Sequence, residues 1–269
     1  LNRVFTDPSK VHAIQHQGKF FQSQGIFQVS PSIQRTPVLY QAGASSKGLA
    51  FATQHAEAMF IGADTPEKLK KQVDKIRALA LSHGRDEQAI KLFVGISVVT
   101  AETDELAQEK LAEYIRYASP EASLAHFSSS VWIDLAQFTD DEAIPYKQTN
   151  SIASVNNKFK EQKVTRADLK AQHVLGGRYP LIVGSGKTVA EKLIQLIDET
   201  GVDGFNLTRT VAPESHQDFI RWVIPELQER GRYKTAYETG SLRHKLFAQG
   251  DRLAADHPVQ QYRCQSSSP

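Results

Sequence analysis

Four times between Pro37 and Gly231 a short apolar run is followed by a turn and then by an amphipathic stretch, and this alternation limits the fold more than any other property of the chain. Runs starting near Pro37, Ala56, Ile90 and Val202 read as strands, the one over Ile90–Val99 most strongly. The stretches between them read as helices. Thr65-Pro66-Glu67 supplies an N-cap and a proline at the first helical position, Leu69, Val73, Ile76 and Ala80 recur on one face, and Gly84 stops the helix. Thr103 opens the next, with Leu106, Leu111, Tyr114 and Ile115 on its apolar side. A further helix runs from Thr188 to Thr200 and stops at Gly201. Pro213 opens a final long helix with Phe219, Ile220, Val223, Ile224 and Leu227 on one face. Strands joined through helices favour a parallel sheet or an α/β barrel over an antiparallel sandwich.

The first strand ends in an unusual turn. In Pro37-Val-Leu-Tyr-Gln-Ala-Gly-Ala-Ser-Ser-Lys-Gly48, Val38, Leu39 and Tyr40 read as a buried strand, Gly43 to Ser46 as a tight turn, and Lys47 onward as a helix. Amides at a helix start have no partners of their own and sit at the positive end of the helix dipole, so small residues there let an anion such as phosphate approach. The same spacing also fits an ordinary strand-to-helix connection.

Composition excludes several classes. The formal charge of +2 comes from balanced acids and bases, which argues against a nucleic-acid or anionic-membrane surface. No run is long enough to span a bilayer and none has the pattern of a signal peptide, so a soluble, cytoplasmic protein is expected. A single cysteine, Cys264, excludes an internal disulfide framework and a Cys-based zinc site, and no metal site is expected. The absence of an initial methionine suggests a piece of a longer product.

Other stretches carry less. Two extended segments around Gly18 suggest a hairpin, on which His12 and His16 read as structural or surface residues. The lysines around Lys68–Lys75 read as a solvated face. From Ser119 to Gly177 the alternation stops, and Phe127, Trp132, Phe138, Tyr146 and Phe159 are spread through polar sequence. That reads either as a lid or binding insertion without regular structure, or as a partly helical insertion packed on the outside. Gly184-Ser-Gly-Lys-Thr188 looks like a P-loop, but the pattern needs a glycine where Leu181 stands. Val189 likewise breaks the dinucleotide fingerprint.

Four stretches together resemble the bacterial-luciferase-like flavin monooxygenases, in the branch of nitrilotriacetate monooxygenase component A, dibenzothiophene-sulfone monooxygenase and long-chain alkane monooxygenase. They are Pro37–Ser45 with Gly48, Ala56–Phe60, Ile133-Asp-Leu135, and Val202–Leu207 with Val223–Gly231. The resemblance implies an α/β TIM-barrel fold with its active site at the C-terminal ends of the strands. It also implies reduced FMN delivered by a separate NAD(P)H:flavin reductase, with dioxygen as co-substrate. A flavin C4a-(hydro)peroxide would then oxidise a small organic substrate. By position, Gly43, Ala44, Ser45 and Ser46 would contact the FMN phosphate, with Gln41 as a polar neighbour. Trp132, Phe138 and Tyr146 would enclose the substrate; no catalytic base is motivated.

Four strand–helix units against the eight of a barrel give the expectation of a C-terminal half: residues 1–247 as barrel, with an insertion over about 119–177, and 248–269 as a polar tail. Such a half would be unstable alone, associate as a homo-oligomer through open edges, or form part of the active enzyme. A non-catalytic remnant and an oxidoreductase using deazaflavin F420 are the alternatives. Organosulfur compounds, amino-polycarboxylates and alkanes are all substrates within the family.

Overall fold

The computed structural model describes residues 5–43, 45–145, 163–175, 177 and 179–262. Ala44, Tyr146, Phe159, Cys264 and the Gln265–Pro269 tail, all singled out or set aside in the sequence, lie outside them. The chain divides into two compact units, Leu1–Val38 with Thr239–Pro269, and Leu39–Glu238. In the smaller unit, β1 (Ala13–Gln17) and β2 (Gln22–Ile26) form the expected antiparallel hairpin. Helix α9 (Leu242–Phe247) places Arg243 so that its guanidinium donates to the carbonyls of Thr36, Pro37 and Asp251, each at 2.9 Å. That charge is buried because backbone oxygens replace its water.

The larger unit is built on a five-stranded parallel sheet. Its strands are β3 (Tyr40–Ala42), β4 (Ala58–Ile61), β5 (Lys91–Ala101), β6 (Leu181–Ser185) and β7 (Gly204–Thr208). The long β5 is the spine. It pairs with β4 over Lys91–Val94 and with β6 over Ser97–Ala101, while β7 pairs with it over Phe93–Ser97. Phe93, Val94 and Ser97 each have partners on both sides, which places β7 on the opposite edge of β5 from β4 and β6. Strand β6 is one the alternation does not reveal, since its five residues run into the glycine-rich Gly184–Gly186 turn.

The helices form where their caps dictate. They are α1 (Ser46–His55), α2 (Pro66–Ser82), α3 (Asp104–Tyr117) and α6 (Gly186–Thr200). Ser45, Thr65, Thr103 and Ser185 each accept a hydrogen bond from a first-turn amide. Gly201 ends α6 in the left-handed conformation at φ 74°. Leu69, Val73, Ile76 and Ala80 of α2 pack with Leu49 and Ala52 of α1 on Met59, Ile61, Leu92 and Val94. A second cluster sets Val189, Ala190 and Leu193 of α6 on Ile96 and Val98. Fully burying each of these larger side chains contributes about 2 kcal/mol. Asp203 locks β7 to β5, accepting from the Leu92 amide (2.9 Å), Lys91 (3.1 Å) and Arg77 (3.1 Å).

The other face of the sheet carries a different set. Tyr40, Phe60 and Phe93 stack there, with ring centroids 5.4 and 6.3 Å apart, and Gly204 lies under the Phe93 ring. Tyr40 and Phe60 remain 41% and 40% exposed, which corrects the reading of Val38–Tyr40 as a buried strand. The strand begins at Tyr40 instead and alternates faces from there, so the phenol falls on the face opposite Met59 and Ile61.

Two further expectations change, and one open choice closes. The buried residue of α3 is Ala107, whereas Leu106 and Ile115 are exposed; a small residue faces the sheet and the large ones flank it. The final helix is broken into α7 (Glu214–Asp218), a π-helical turn over Phe219–Val223, and α8 (Ile224–Glu229). That turn rotates Ile220 out to 64% exposure while Val223 and Leu227 stay buried. Of the two readings left open for the insertion, its described part follows the partly helical one. Helix α4 (Pro120–Val131) is capped by Ser119, and α5 (Arg166–His173) opens with a capping box between Thr165 and Asp168. Leu124, Phe127, Val131, Ile133, Leu135, Ile144, Val164 and Leu169 give it a core of its own. Across its surface Arg166 and Lys170 pair with Glu121 and Asp140.

Candidate functional site

Ala42, Ile61, Ala101, Ser185 and Thr208 end the five parallel strands at one edge of the sheet, the edge at which ligands bind in such folds. At this edge β3 passes into α1. Gly43 takes φ 123°, a conformation that costs a glycine little, and open space lies where a Cβ would project. Ser45 is the N-cap, its Oγ accepting from the Gly48 amide at 3.1 Å. The first intrahelical bond runs from the Leu49 amide to the Ser45 carbonyl at 2.8 Å. That leaves the Ser46 and Lys47 amides without an acceptor among the described residues, beside the exposed Ser45 and Ser46 side chains. Gln41 is half-buried and its side-chain amide donates to the Ala42 carbonyl at 3.0 Å, so it braces the strand end.

The entry of β3 is fixed from behind by a residue whose role the sequence did not signal. Glu57, buried at 5% exposure, accepts from the Leu39 amide at 3.0 Å, while its own amide donates to the Leu39 carbonyl at 2.8 Å. An acid at the mouth of a strand beside small residues was the available clue.

The start of α6 has the same outline with a different outcome. Ser185 caps the helix by accepting from the Thr188 amide at 3.3 Å. Here Asp104, from the start of α3, accepts from the Ser185 amide at 2.6 Å and from the Thr188 hydroxyl at 3.1 Å. Those bonds, the Ser185 amide first, hold its carboxyl below the usual 3.8. The P-loop look-alike is thus already filled by an anion of the chain itself.

A cleft of about 750 Å3 opens beside the chain leaving β7. Its walls come from the end of α3, the first half of α4, the end of α5 and the segment Thr210–Glu214. Tyr114 donates to Glu214 at 2.6 Å, and burial, followed by that carboxylate, pushes its phenol upward so that it stays protonated. Lys110 behind this pair binds Asp218 at 2.5 Å and Glu214 at 3.6 Å. Phe127 and His173 stack with centroids 4.1 Å apart at the floor.

Of the residues expected to enclose a substrate, Trp132 ends α4 in the left-handed conformation and is 65% exposed, and Phe138 packs against the insertion core. Neither they nor Gln41, Gly43, Ser45 and Ser46 line the cleft. Among the described residues no group of His, Cys, Asp and Glu could hold a metal ion, and no helix is long and apolar enough to cross a membrane.

The sequence profile described as Luciferase-like monooxygenase matches residues 1–204. The dimethyl-sulfide monooxygenase of Hyphomicrobium sulfonivorans is 42% identical over 265 residues, 97% of this chain and 55% of that protein. The long-chain alkane monooxygenase of Geobacillus thermodenitrificans is 42% identical over 269 residues, 99% of this chain and 58% of that protein. The chain therefore spans a little over half the length of these relatives. A riboflavin lyase solved with modified FMN and riboflavin superposes with a TM-score of 0.87 at 36% identity, covering 97% of this chain and 59% of that one.

Proposed function

The chain belongs to the luciferase-like monooxygenase family, with its TIM-barrel α/β fold, and from that premise we propose that it serves a monooxygenation driven by reduced FMN. The observation that carries the reading is the open start of α1 at the strand-end edge of the sheet. Gly43 gives a phosphate room to approach, the Ser46 and Lys47 amides have no acceptor among the described residues, and the Ser45 and Ser46 hydroxyls add donors; Ala44, expected to take part as well, lies outside the described residues. No carboxylate is bonded into this turn among the described residues, in contrast to α6, so the residues present fit a phosphate. Gln41 holds the strand end in place beside it.

Bound reduced FMN would supply the two electrons with which dioxygen gives one oxygen atom to a small organic substrate and the other to water. The residues of this chain seat the cofactor's anionic end and restrict water. The segment from Trp132 to Phe138 would enclose the substrate, a role also expected of Tyr146, which lies outside the described residues. A separate NAD(P)H-dependent reductase supplies the reduced flavin, a reading supported by the resemblance to nitrilotriacetate monooxygenase component A.

Fluorescence titration of the chain with FMN, riboflavin and F420 tests this. The expected result is FMN binding about tenfold tighter than riboflavin, with most of the difference removed by Ser45→Ala. Equal affinity for FMN and riboflavin would overturn the phosphate seat. Preference for F420 would move the chain to hydride transfer, and binding of none of the three would leave a non-catalytic remnant.

A further inference from the structure

The cleft between α3, α4, α5 and Thr210–Glu214 has a charge pattern that says what it can hold. Its volume suits a small organic molecule, and its walls contain Glu113, Glu214, His126 and His173 but, among the described residues, neither lysine nor arginine. Two cations on α3, Lys110 and Arg116, are committed elsewhere. Lys110 is shared between Asp218 and Glu214, which leaves that trio with one excess negative charge. Arg116 lies 3.9 Å from Glu113 and over the Tyr117 ring, and it is largely in water, where its field is screened. Tyr114 stays protonated and aims its proton at Glu214. Apolar contact comes from Tyr117 and Phe127, while the Ser119, Ser123 and Thr210 hydroxyls offer neutral hydrogen bonds.

We propose that this cleft binds a small uncharged organic molecule and turns away polycarboxylates, with Glu113 and Glu214 as the selecting residues. The proposal goes beyond the monooxygenase reading, since the cleft is lined by none of Gln41, Gly43, Ser45, Ser46, Trp132 and Phe138. Desolvating a second or third carboxylate against two fixed carboxylates gains nothing to offset the loss of water, whereas a neutral molecule meets aromatic faces and hydroxyls at no such cost.

A matched pair of probes separates the two classes: triethyl citrate, which is neutral, and citrate, which carries three carboxylates on the same skeleton. Binding is followed by NMR chemical-shift changes of the isotopically labelled chain without flavin. The triester is expected to shift resonances of cleft residues, and citrate to bind at least roughly tenfold more weakly. In the double variant Glu113→Gln with Glu214→Gln, citrate should gain roughly tenfold and the triester should change little. Ala122→Trp, on the exposed cleft side of α4, should abolish triester binding by filling the space. Citrate binding as tight as the triester, triester binding that survives Ala122→Trp, or no binding of either probe would overturn the proposal. FMN titration of Ala122→Trp keeps the two readings apart: loss of flavin binding by every form of the chain, with the probe results intact, removes the monooxygenase reading alone.

Discussion

Helices α1 and α6 start in nearly the same way and are used for opposite ends. Each follows a short parallel strand, each is capped by a serine that accepts from the amide three residues on, and each lies at the strand-end edge of the sheet. At α6 the positive helix end is neutralised from within by Asp104. The Gly184 turn leaves room for that carboxylate, since a Cβ there would stand 2.8 Å from its oxygen. At α1 nothing of the chain's own described residues takes that place. The difference teaches that a strand–turn–helix with a serine cap marks an anion seat only if the fold brings no acid of its own to it.

The contrast can be broken or sharpened by substitution. The largest effect is expected at Gly186, where an added Cβ would fall 2.0 Å from the Trp222 carbonyl oxygen. Gly186→Ala should therefore cost about 3 kcal/mol of stability, read from urea melts, because backbone rather than a flexible side chain stands in the way. If that variant melts like the wild type, the start of α6 is free to move away from the Trp222 carbonyl. Next comes Ser45→Ala, for which FMN affinity should fall about tenfold and riboflavin affinity should not change. Equal losses for both ligands would mean that the serine serves only as a helix cap.

Gly43→Ala comes third. The surrounding space is open, so only the backbone conformation opposes it, at about 1 kcal/mol, seen as a modest drop in the melting midpoint. A loss as large as that at Gly186 would show the α1 turn to be packed rather than open. The smallest effect should come from Asp104→Asn, because the carboxylate is exposed. Its folded pKa lies below the ordinary 3.8, so its contribution is fully present above that value and disappears as the pH falls through the lowered one. The melting midpoints of wild type and Asp104→Asn should accordingly differ at pH 7 and converge in acid. A gap that persists in acid would mean that Asp104 acts by shape and not by charge.

Much of the α/β frame could be read from the chain because local chemistry and packing agree there. Thr65-Pro66 and Gly84 bound α2, and the run through Ile90–Val99 became the spine of the sheet. The turn at Gly43–Ser46 was legible for the same reason, since strand, glycine, cap and helix start are all local. What stayed hidden depends on partners distant in sequence. Asp104 meets Ser185 across 81 positions, and nothing around either residue announces the other. The face of α3 was misjudged because Ala107 has little hydrophobicity to advertise, although its small size is what lets the helix approach the sheet. The insertion stayed open between an irregular and a partly helical reading because its aromatics lack a regular spacing, although Ser119-Pro120 and the Thr165–Asp168 capping box are readable helix starts. The cleft draws on four separate segments, which no single stretch of sequence displays.

The stripe formed by the Tyr40, Phe60 and Phe93 rings has an optical consequence. Partial desolvation, and after it the charge of Glu57, already lift the Tyr40 phenol above its ordinary 10. Whatever comes to rest on Tyr40, Phe60 and Phe93 would strip more water from that hydroxyl and delay its ionisation further. The ultraviolet absorbance of tyrosinate, followed through an alkaline titration, is therefore a built-in gauge of whether this side of the molecule is clothed.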